Sequence, residues 1–476
     1  MADDPATVLE VNNSIDYIDQ SPLTDAHPWL VRPKEVAQLT RKLKSKKTPG
    51  QDQVRNIVLK RLPRKAHIFL AKIFSACIRL GYFPTSWKHA VVIAIPKPNK
   101  DSTNPSNYRP ISLLPSLSKL LERVVLSRIE QHLENTRIIP DAQFGFKRGH
   151  STNHQLVRLA KEVRTNFGRK KSSGMVLLDV EKAYDSVWQE AILHKMRLAA
   201  FPLYVLKIVR SFLQYHSYHV AINGHTSDRL GVPFGVPQGA VLSPTLYNIF
   251  MADLAMIDGV SYFLFADDTG FIASDSDPAI VVTNLQAAQN AIERYQKKWK
   301  VKTNAEKSQA IFFTRKRSPR NLPRREVSVW GSQVPWSEDV KYLGLTLDRK
   351  LTFAAHVKNT LTKCDKITRM LYSLINRRSH LDVNSKLLLY KMVFKPSMTY
   401  GFPAWYDCAA SHRKKLQVKQ NRLLKMMLNL DPFHPTDDVH RMAKIELIDD
   451  WLLRVLPKFW IGCATSANPL LQRLSA

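Results

Sequence analysis

The chain has 476 residues, enough for two to four subdomains around a large buried core, and a hydrophobic content of 44% argues against wholesale disorder. Against 40 acidic residues stand 71 Lys and Arg, a formal charge of +31 that self-repels unless a polyanion relieves it. Nucleic acid, bound partly through counterion release, is the usual such partner, with a ribosome-associated or membrane-surface role as the blander choice. The widely spaced Cys77, Cys364, Cys408 and Cys463 form no CxxC pair, no apolar run approaches the ~20 residues of a membrane span, and the segment after Met1 is acidic and polar. A disulfide framework, a zinc knuckle, a membrane partner and a secretory signal are therefore not expected, and a soluble protein of a reducing compartment is.

In chain order, residues 1–30 are polar and lack clear periodicity, which predicts a mobile lead-in reaching residue 44. RKLKSKKTPGQD is a basic run closing in a turn at Pro49 and Gly50. Residues 54–80 read as one helix with Val58, Leu62, Ile68, Phe69, Ile73 and Ile78 as its apolar positions. VVIAIPKPNK predicts a short buried strand that breaks at Pro96, and Leu117 to Leu133 a helix carrying Leu120, Leu121, Val124, Val125 and Ile129. MVLL, Met175 to Leu178, is a strand ending at Asp179, and Ser186 with Gln189 predicts a capping box for a helix through Ala199. Asn223-Gly224 signals a hairpin, and Ser243 and Pro244 open a helix, as N-cap and first-turn proline, that runs to Leu254. YFLFADDTGFIAS, Tyr262 to Ser274, reads as strand, tight Ala266–Thr269 turn, strand; an amphipathic helix over 279–299 and the strand AIFF, 310–313, come next. With the inserted hairpin and helix set aside, this is a β-α-β-β-α-β succession: an α+β chain with a split βαβ antiparallel sheet backed by helices. After Leu351 helical patterns dominate, and KKLQVKQNRLLKMML interleaves apolar and basic residues so that one face can be buried and the other offered to a phosphate backbone.

Asp267 and Asp268 interrupt an apolar run in a strongly positive protein. Aspartate suits a hairpin tip on its own account, and Asp437-Asp438 and Asp449-Asp450 deserve only that kind of reading. Asp179, however, ends another strand of the same predicted sheet, and three carboxylates gathered at one sheet end repel unless cations sit between them. Hard divalent ions suit such oxygen ligands, and two of them ~3.5–4 Å apart activate a 3′-hydroxyl and stabilise a leaving pyrophosphate. Sheet, acids and surplus positive charge together suggest a polymerase.

The ordered set IPKP, NYRPISLL, QFGFKRGHST, LLDVEKAYDSVW, GVPQGAVLSPTLYNIFMADL, FADDTGFIAS, NAEKSQAIFF and YLGLTLD resembles the reverse transcriptase of non-LTR (LINE-type) retrotransposons, most closely the jockey group of insect mobile elements, over about residues 45–430. The resemblance implies a right-hand polymerase: N-terminal extension and fingers over 45–174, palm over 175–350, and a helical thumb and C-terminal region over 351–476, the reverse transcriptase domain as a whole spanning about 77–347. It implies an RNA-directed DNA polymerase with two Mg²⁺ ions, replaceable by Mn²⁺, held by Asp179 and Asp267 with Asp268 as the third carboxylate. Lys97 and Arg109 match residues that grip the incoming triphosphate, Tyr184 the ring that excludes a ribose 2′-hydroxyl, and Pro237, Gln238 and Gly239 a loop under the template base and nucleotide. Lys307 matches a candidate general acid for pyrophosphate; Tyr342, Leu343 and Gly344 match the strand pair supporting the primer end, where core packing is an equal explanation.

The partners so implied are an RNA template, namely the element RNA, a DNA primer and dNTPs, in the nucleus or the cytoplasm. Oligomeric state stays open. No endonuclease domain fits ahead of the polymerase, so a separate endonuclease is one expected source of the priming nick. Three rivals share the palm: an idle polymerase fold kept for RNA binding, an RNA-dependent RNA polymerase and an intron-type maturase. The three aspartates oppose the first, Tyr184 the second and the absence of an evident maturase portion the third.

Overall fold

The structure, a computed structural model, describes every residue except 1–3, 24–29, 97–100, 102, 223, 317–322, 324 and 476. Lys97 and Asn223 therefore lie outside the described residues. The chain divides into two compact, discontinuous units. The strands that carry their main sheets are β1 His89–Pro96, β2 Tyr108–Leu113, β3 Ser172–Val180, β4 His216–Ile222, β5 His225–Thr226, β6 Leu230–Val232, β7 Val260–Phe265, β8 Asp268–Asp275 and β9 Thr303–Phe313.

The first unit comprises Met1–Pro140, Val180–Ala255 and Ile292–Lys302. Its sheet runs β2-β1-β4-β5, with β6 also on β4; β1 is antiparallel to β2 and parallel to β4. Only the first half of β1 is well buried, because its later residues Ile93 and Ile95 reach solvent. The expected mobile lead-in is instead helical over Pro5–Gln20 and Pro33–Arg41. Val11, Ser14 and Ile18 of the first helix are fully buried, and Ser14 Oγ meets His194 Nδ1 at 2.7 Å and accepts from Arg197 Nε at 3.0 Å. Thr7 and Ser14 occupy the buried face where large apolar residues would have displayed the helical period.

The single helix expected over 54–80 is two, Asn56–Lys60 and Arg64–Leu80, because Pro63 has no N–H to donate and keeps its neighbour out of the helical region. The predicted capping box does not form. The helix there is Gln189–Leu198, capped by Trp188 without a side-chain bond, while Ser186 Oγ donates to Glu181 O and Gln189 Nε2 to Gly235 O. Ser243 likewise is not the N-cap of Ser243–Phe250; it is the first helical residue, its Oγ bonded to Pro237 O, and the helix stops short of Leu254. The hairpin around Gly224 is present, with Ile222 paired to His225 and Gly224 at φ +83°.

The second unit comprises Asp141–Asp179, Met256–Ala291 and Thr303–Ala476. Its main sheet has the order Trp336–Ser337, β9, β3, β8, β7, with β3/β8 and β7/β8 antiparallel. The sequence succession β3, β7, β8, β9 laid out as β9-β3-β8-β7 is the split βαβ plan, as expected for an α+β chain. Helix Thr152–Gly168 buries Leu156, Leu159, Ala160 and Val163 in one core with Met175, Leu177, Phe263 and Ile272 of the strands. Val281 and Leu285 of helix Pro278–Lys298 press so closely on β3 that a Cβ at Gly174 would lie under 3 Å from both. The helices Ala354–Met370, Ala410–Met427 and Ile448–Ala464 join the same core through Val357, Leu423, Leu424, Met427 and Leu452.

All four cysteines are free and buried. Among the described residues no helix is long and apolar enough to cross a membrane.

Candidate active site

The register of β7 on β8 ends with Phe265 opposite Asp268, so Ala266 and Asp267 alone make the turn. Ala266 takes φ +57°, a left-handed conformation costing a residue with a Cβ ~1 kcal/mol. A segment more than a hundred residues earlier holds it there. Gln143 Oε1 accepts from Ala266 N at 2.9 Å and from Gly145 N at 2.8 Å, while Phe144 N donates to Leu264 O and Leu264 N to Ala142 O. Gly145 is required by contact: a Cβ there would sit 2.1 Å from Ala266 N. QFGF stands out in the sequence as part of a motif, but nothing near it along the chain gives it a task. The signal is present, a glutamine amide next to a glycine, but its target is distant along the chain.

The alternation of β8 puts Asp268 on the face of Gly270 and Ile272, where a Cβ at Gly270 would meet Met175 and Leu177 of β3. The β3/β8 register runs to Leu178 opposite Thr269, and one further step brings Asp179 opposite Asp268. Like charges in directly opposed cross-strand positions repel. Both carboxylates of the turn reach solvent, yet the surrounding protein strips enough water to matter. Desolvation, then Asp267, then Asp179 push the Asp268 carboxyl up to about 6. Asp267 is raised too, by desolvation and by Asp179, against its own backbone N–H. Lys307, on the neighbouring β9, brings Nζ to 3.8 Å from Asp179 Oδ2; with both groups exposed this pair is weak and readily exchanged.

The hairpin Asp339–Tyr342/Leu345–Asp348 turns through Leu343 and Gly344, both at positive φ. The buried Tyr342 donates through Oη to Phe263 O of β7 at 3.2 Å, and Tyr400 Oη to Leu343 O at 2.7 Å. Tyr342 is thus tied to the strand that leads into the Asp267 turn, while Leu343 and Gly344 are held against Tyr400.

In the first unit a second set of predicted residues comes together. Gln238 O accepts from Ser112 N of β2 at 3.1 Å, and Gly239, at φ +111°, approaches Ser112 O so closely that a Cβ would stand 2.7 Å away. Arg109 is exposed on the same strand, paired with Ile95. Gln238 Nε2 lies 3.2 and 3.3 Å from the two Asp185 carboxylate oxygens. Tyr184 accepts on its carbonyl from Val236 N at 2.8 Å and stacks its ring on buried Tyr247, centroids 5.2 Å apart at 19°. The loop 235–239 therefore rests on both Tyr184 and β2.

Residues 95–347 match the family described as "Reverse transcriptase (RNA-dependent DNA polymerase)". The chain belongs to the reverse transcriptase family. Among curated relatives it is 34% identical over 449 residues to the RNA-directed DNA polymerase from mobile element jockey of Drosophila melanogaster, covering 92% of this chain and 48% of that protein. The jockey polymerase of Drosophila funebris is also 34% identical, over 451 residues, with 92% and 48% covered. The chain thus spans about half the length of the curated relatives it matches. A solved telomerase from Candida albicans, in complex with a fragment of telomeric RNA, aligns with TM-score 0.43 and 10% identity over 81% of this chain and 69% of that one. That likeness is too distant to bear on the site.

Reverse transcriptase membership implies divalent-metal dependence. Among the described residues no three His, Cys, Asp or Glu side chains are gathered closely enough to cage an ion. The donor set nevertheless fits one: Asp179, Asp267 and Asp268 are hard oxygen ligands, Asp179 adds to the raised proton affinity of both Asp267 and Asp268, and a divalent cation relieves that repulsion.

Proposed function

We propose that this reverse transcriptase chain is an RNA-directed DNA polymerase that adds dNTPs to the 3′-hydroxyl of a DNA primer on an RNA template, the element's own RNA. The observation that carries the reading is the raised proton affinity of Asp267 and Asp268, to which the Asp179 charge contributes, at one end of the β9-β3-β8-β7 sheet. Asp179 and Asp267 are the main metal-holding residues, with Asp268 as the third carboxylate. Two Mg²⁺ ions, or Mn²⁺ in their place, supply there the activation of the primer hydroxyl and the neutralisation of the leaving pyrophosphate.

The chain's own residues do the rest. Arg109 and Lys97 bind the triphosphate as fixed cations. Tyr184, its ring held against Tyr247, crowds a ribose 2′-hydroxyl and so selects deoxynucleotides. Gln238 and Gly239 offer backbone to the nucleotide, with Pro237 turning the loop; the tight approach of Gly239 to Ser112 keeps that backbone in place. Lys307 is the proton donor to pyrophosphate, and its weak pairing with Asp179 leaves the ammonium free to exchange partners. Tyr342, Leu343 and Gly344 support the primer end. The fingers span 45–174, the palm 175–350 and the thumb 351–476, with a charge of +31 to hold the RNA–DNA duplex through its phosphates. A nuclear site of action completes the reading.

Purified protein should extend oligo(dT) on poly(rA) with dTTP and Mg²⁺. Asp267→Asn should reduce synthesis to background while leaving RNA affinity within about twofold. Equal synthesis by variant and wild type would remove the assignment.

A further inference from the structure

Helix Ser243–Phe250 begins without a side-chain cap from its own segment. The backbone just ahead of it finds its acceptor far away along the chain. Glu122, in the helix Ser116–Thr136, is fully buried, and its Oε2 accepts from Val241 N at 2.5 Å and from Leu242 N at 3.2 Å. Its Oε1 accepts from Ser118 Oγ at 3.1 Å. Three donors thus converge on one carboxylate. Burial raises its proton affinity and the two backbone N–H groups oppose the rise, with Lys119 helping them.

We infer that Glu122 is a positioning residue for nucleotide binding: it fixes the loop Pro237–Leu242 from behind and so sets where the Gln238–Gly239 backbone stands. Two features favour this over general packing. A buried carboxylate is costly unless its partners are worth more than the water it loses. Leucine at this position would fill the space without that cost, but could not hold two N–H groups. The loop is also clamped from the other side, since Ser112 N bonds Gln238 O and Gly239 abuts Ser112 O. A loop fixed at Gln238 and at Val241–Leu242 has little freedom between them. Releasing one anchor lets the other half move.

The inference rests on the reading that Gln238 and Gly239 touch the nucleotide, and the test separates the two. Steady-state primer extension gives KM for dTTP and kcat for four proteins. Glu122→Asp keeps a carboxylate but withdraws it by one methylene from Val241 N; KM should rise about tenfold with kcat changed less than threefold. Glu122→Gln keeps an acceptor oxygen for the loop, and its Nε2 can donate to Ser118 Oγ; it should stay within about threefold of wild type in both constants. Gly239→Ala, whose Cβ would stand 2.7 Å from Ser112 O, displaces that backbone directly and should raise KM by itself. A purely structural role would lower the active fraction, and with it the apparent kcat, without moving KM. An unchanged KM in folded Glu122→Asp overturns the inference. If Gly239→Ala is also without effect, the nucleotide reading of the loop has failed; if Gly239→Ala raises KM alone, only the role of Glu122 has. Should Glu122→Asp not fold, Ser118→Ala takes its place, with a threefold rise in KM expected and an unchanged KM overturning the inference.

Discussion

Replacing Asp268 by Asn changes one oxygen to an amide nitrogen and removes one negative charge from the carboxylate group. Between an ordinary value of 3.8 and a folded value of about 6, a fully desolvated carboxyl would lose roughly 3 kcal/mol on ionising. The side chain reaches solvent, so screening reduces this to the order of 1 kcal/mol. The sign comes from linkage. An acid whose folded value is raised adds stability below its unfolded value and loses it as pH climbs through the folded one. Metal-free wild type should therefore be less stable than Asp268→Asn by on the order of 1 kcal/mol at pH 7.5, with the gap closing near pH 4. Urea unfolding in EDTA at the two pH values measures it. Mg²⁺ at a hundred times its dissociation constant should then add about 2.7 kcal/mol to wild type by mass action, and clearly less to the variant. Unfolding curves for variant and wild type that coincide in EDTA at pH 7.5, or differ equally at both pH values, would show that Asp268 feels no repulsion. The description of the three carboxylates as one electrostatic group would then be wrong.

Two further outcomes can be checked directly. Tyr184→Ala should lower the preference for dTTP over UTP, read as the ratio of kcat/KM values, by at least about tenfold; an unchanged ratio would place the sugar discrimination elsewhere. Lys195 is buried, donates to Phe250 O, Asp253 and Tyr295 Oη, and lies 4.0 Å from the Trp299 ring centroid. Burial pulls it from 10.5 down to about 8. A depressed amine disfavours folding while both states are charged, so wild type should gain roughly 2 kcal/mol relative to Lys195→Met between pH 7.5 and 9.5. Parallel urea stability curves across that range would contradict it.

What the sequence revealed and what it concealed divide along a physical line. A short apolar and aromatic run exposed β7 and β8, and the acidic break inside it exposed the turn, because both signals are local. Pro63 was just as local, but its effect on the helix was outweighed by the apolar spacing on either side. The first helix was missed because a buried face built from Thr7, Val11, Ser14 and Ile18 is half polar and gives no amphipathic contrast. Ser186 and Ser243 looked like caps because serine before a helix commonly is one; in the fold their hydroxyls found carbonyls instead. The hardest residues to read were those whose work is done on distant backbone. Gln143 acts on Ala266 from 123 positions away and Glu122 on Val241 from 119, and no window along the chain links them.

The motif alone ranks Asp267 above Asp268 as a metal-holding residue, while the register, continued one residue past Leu178–Thr269, puts Asp268 across from Asp179. The two statements are compatible once the turn is considered. With only Ala266 and Asp267 in it, the turn cannot move one carboxylate without the other, and Gln143 fixes Ala266 from outside the hairpin. The strained backbone at Ala266 is therefore what fixes Asp267 relative to Asp268, while the β3/β8 register relates Asp268 to Asp179. A loop one residue longer would relax Ala266 and free Asp267 from its fixed distance to Asp268, leaving the β3/β8 pairing, and with it Asp268 beside Asp179, unchanged.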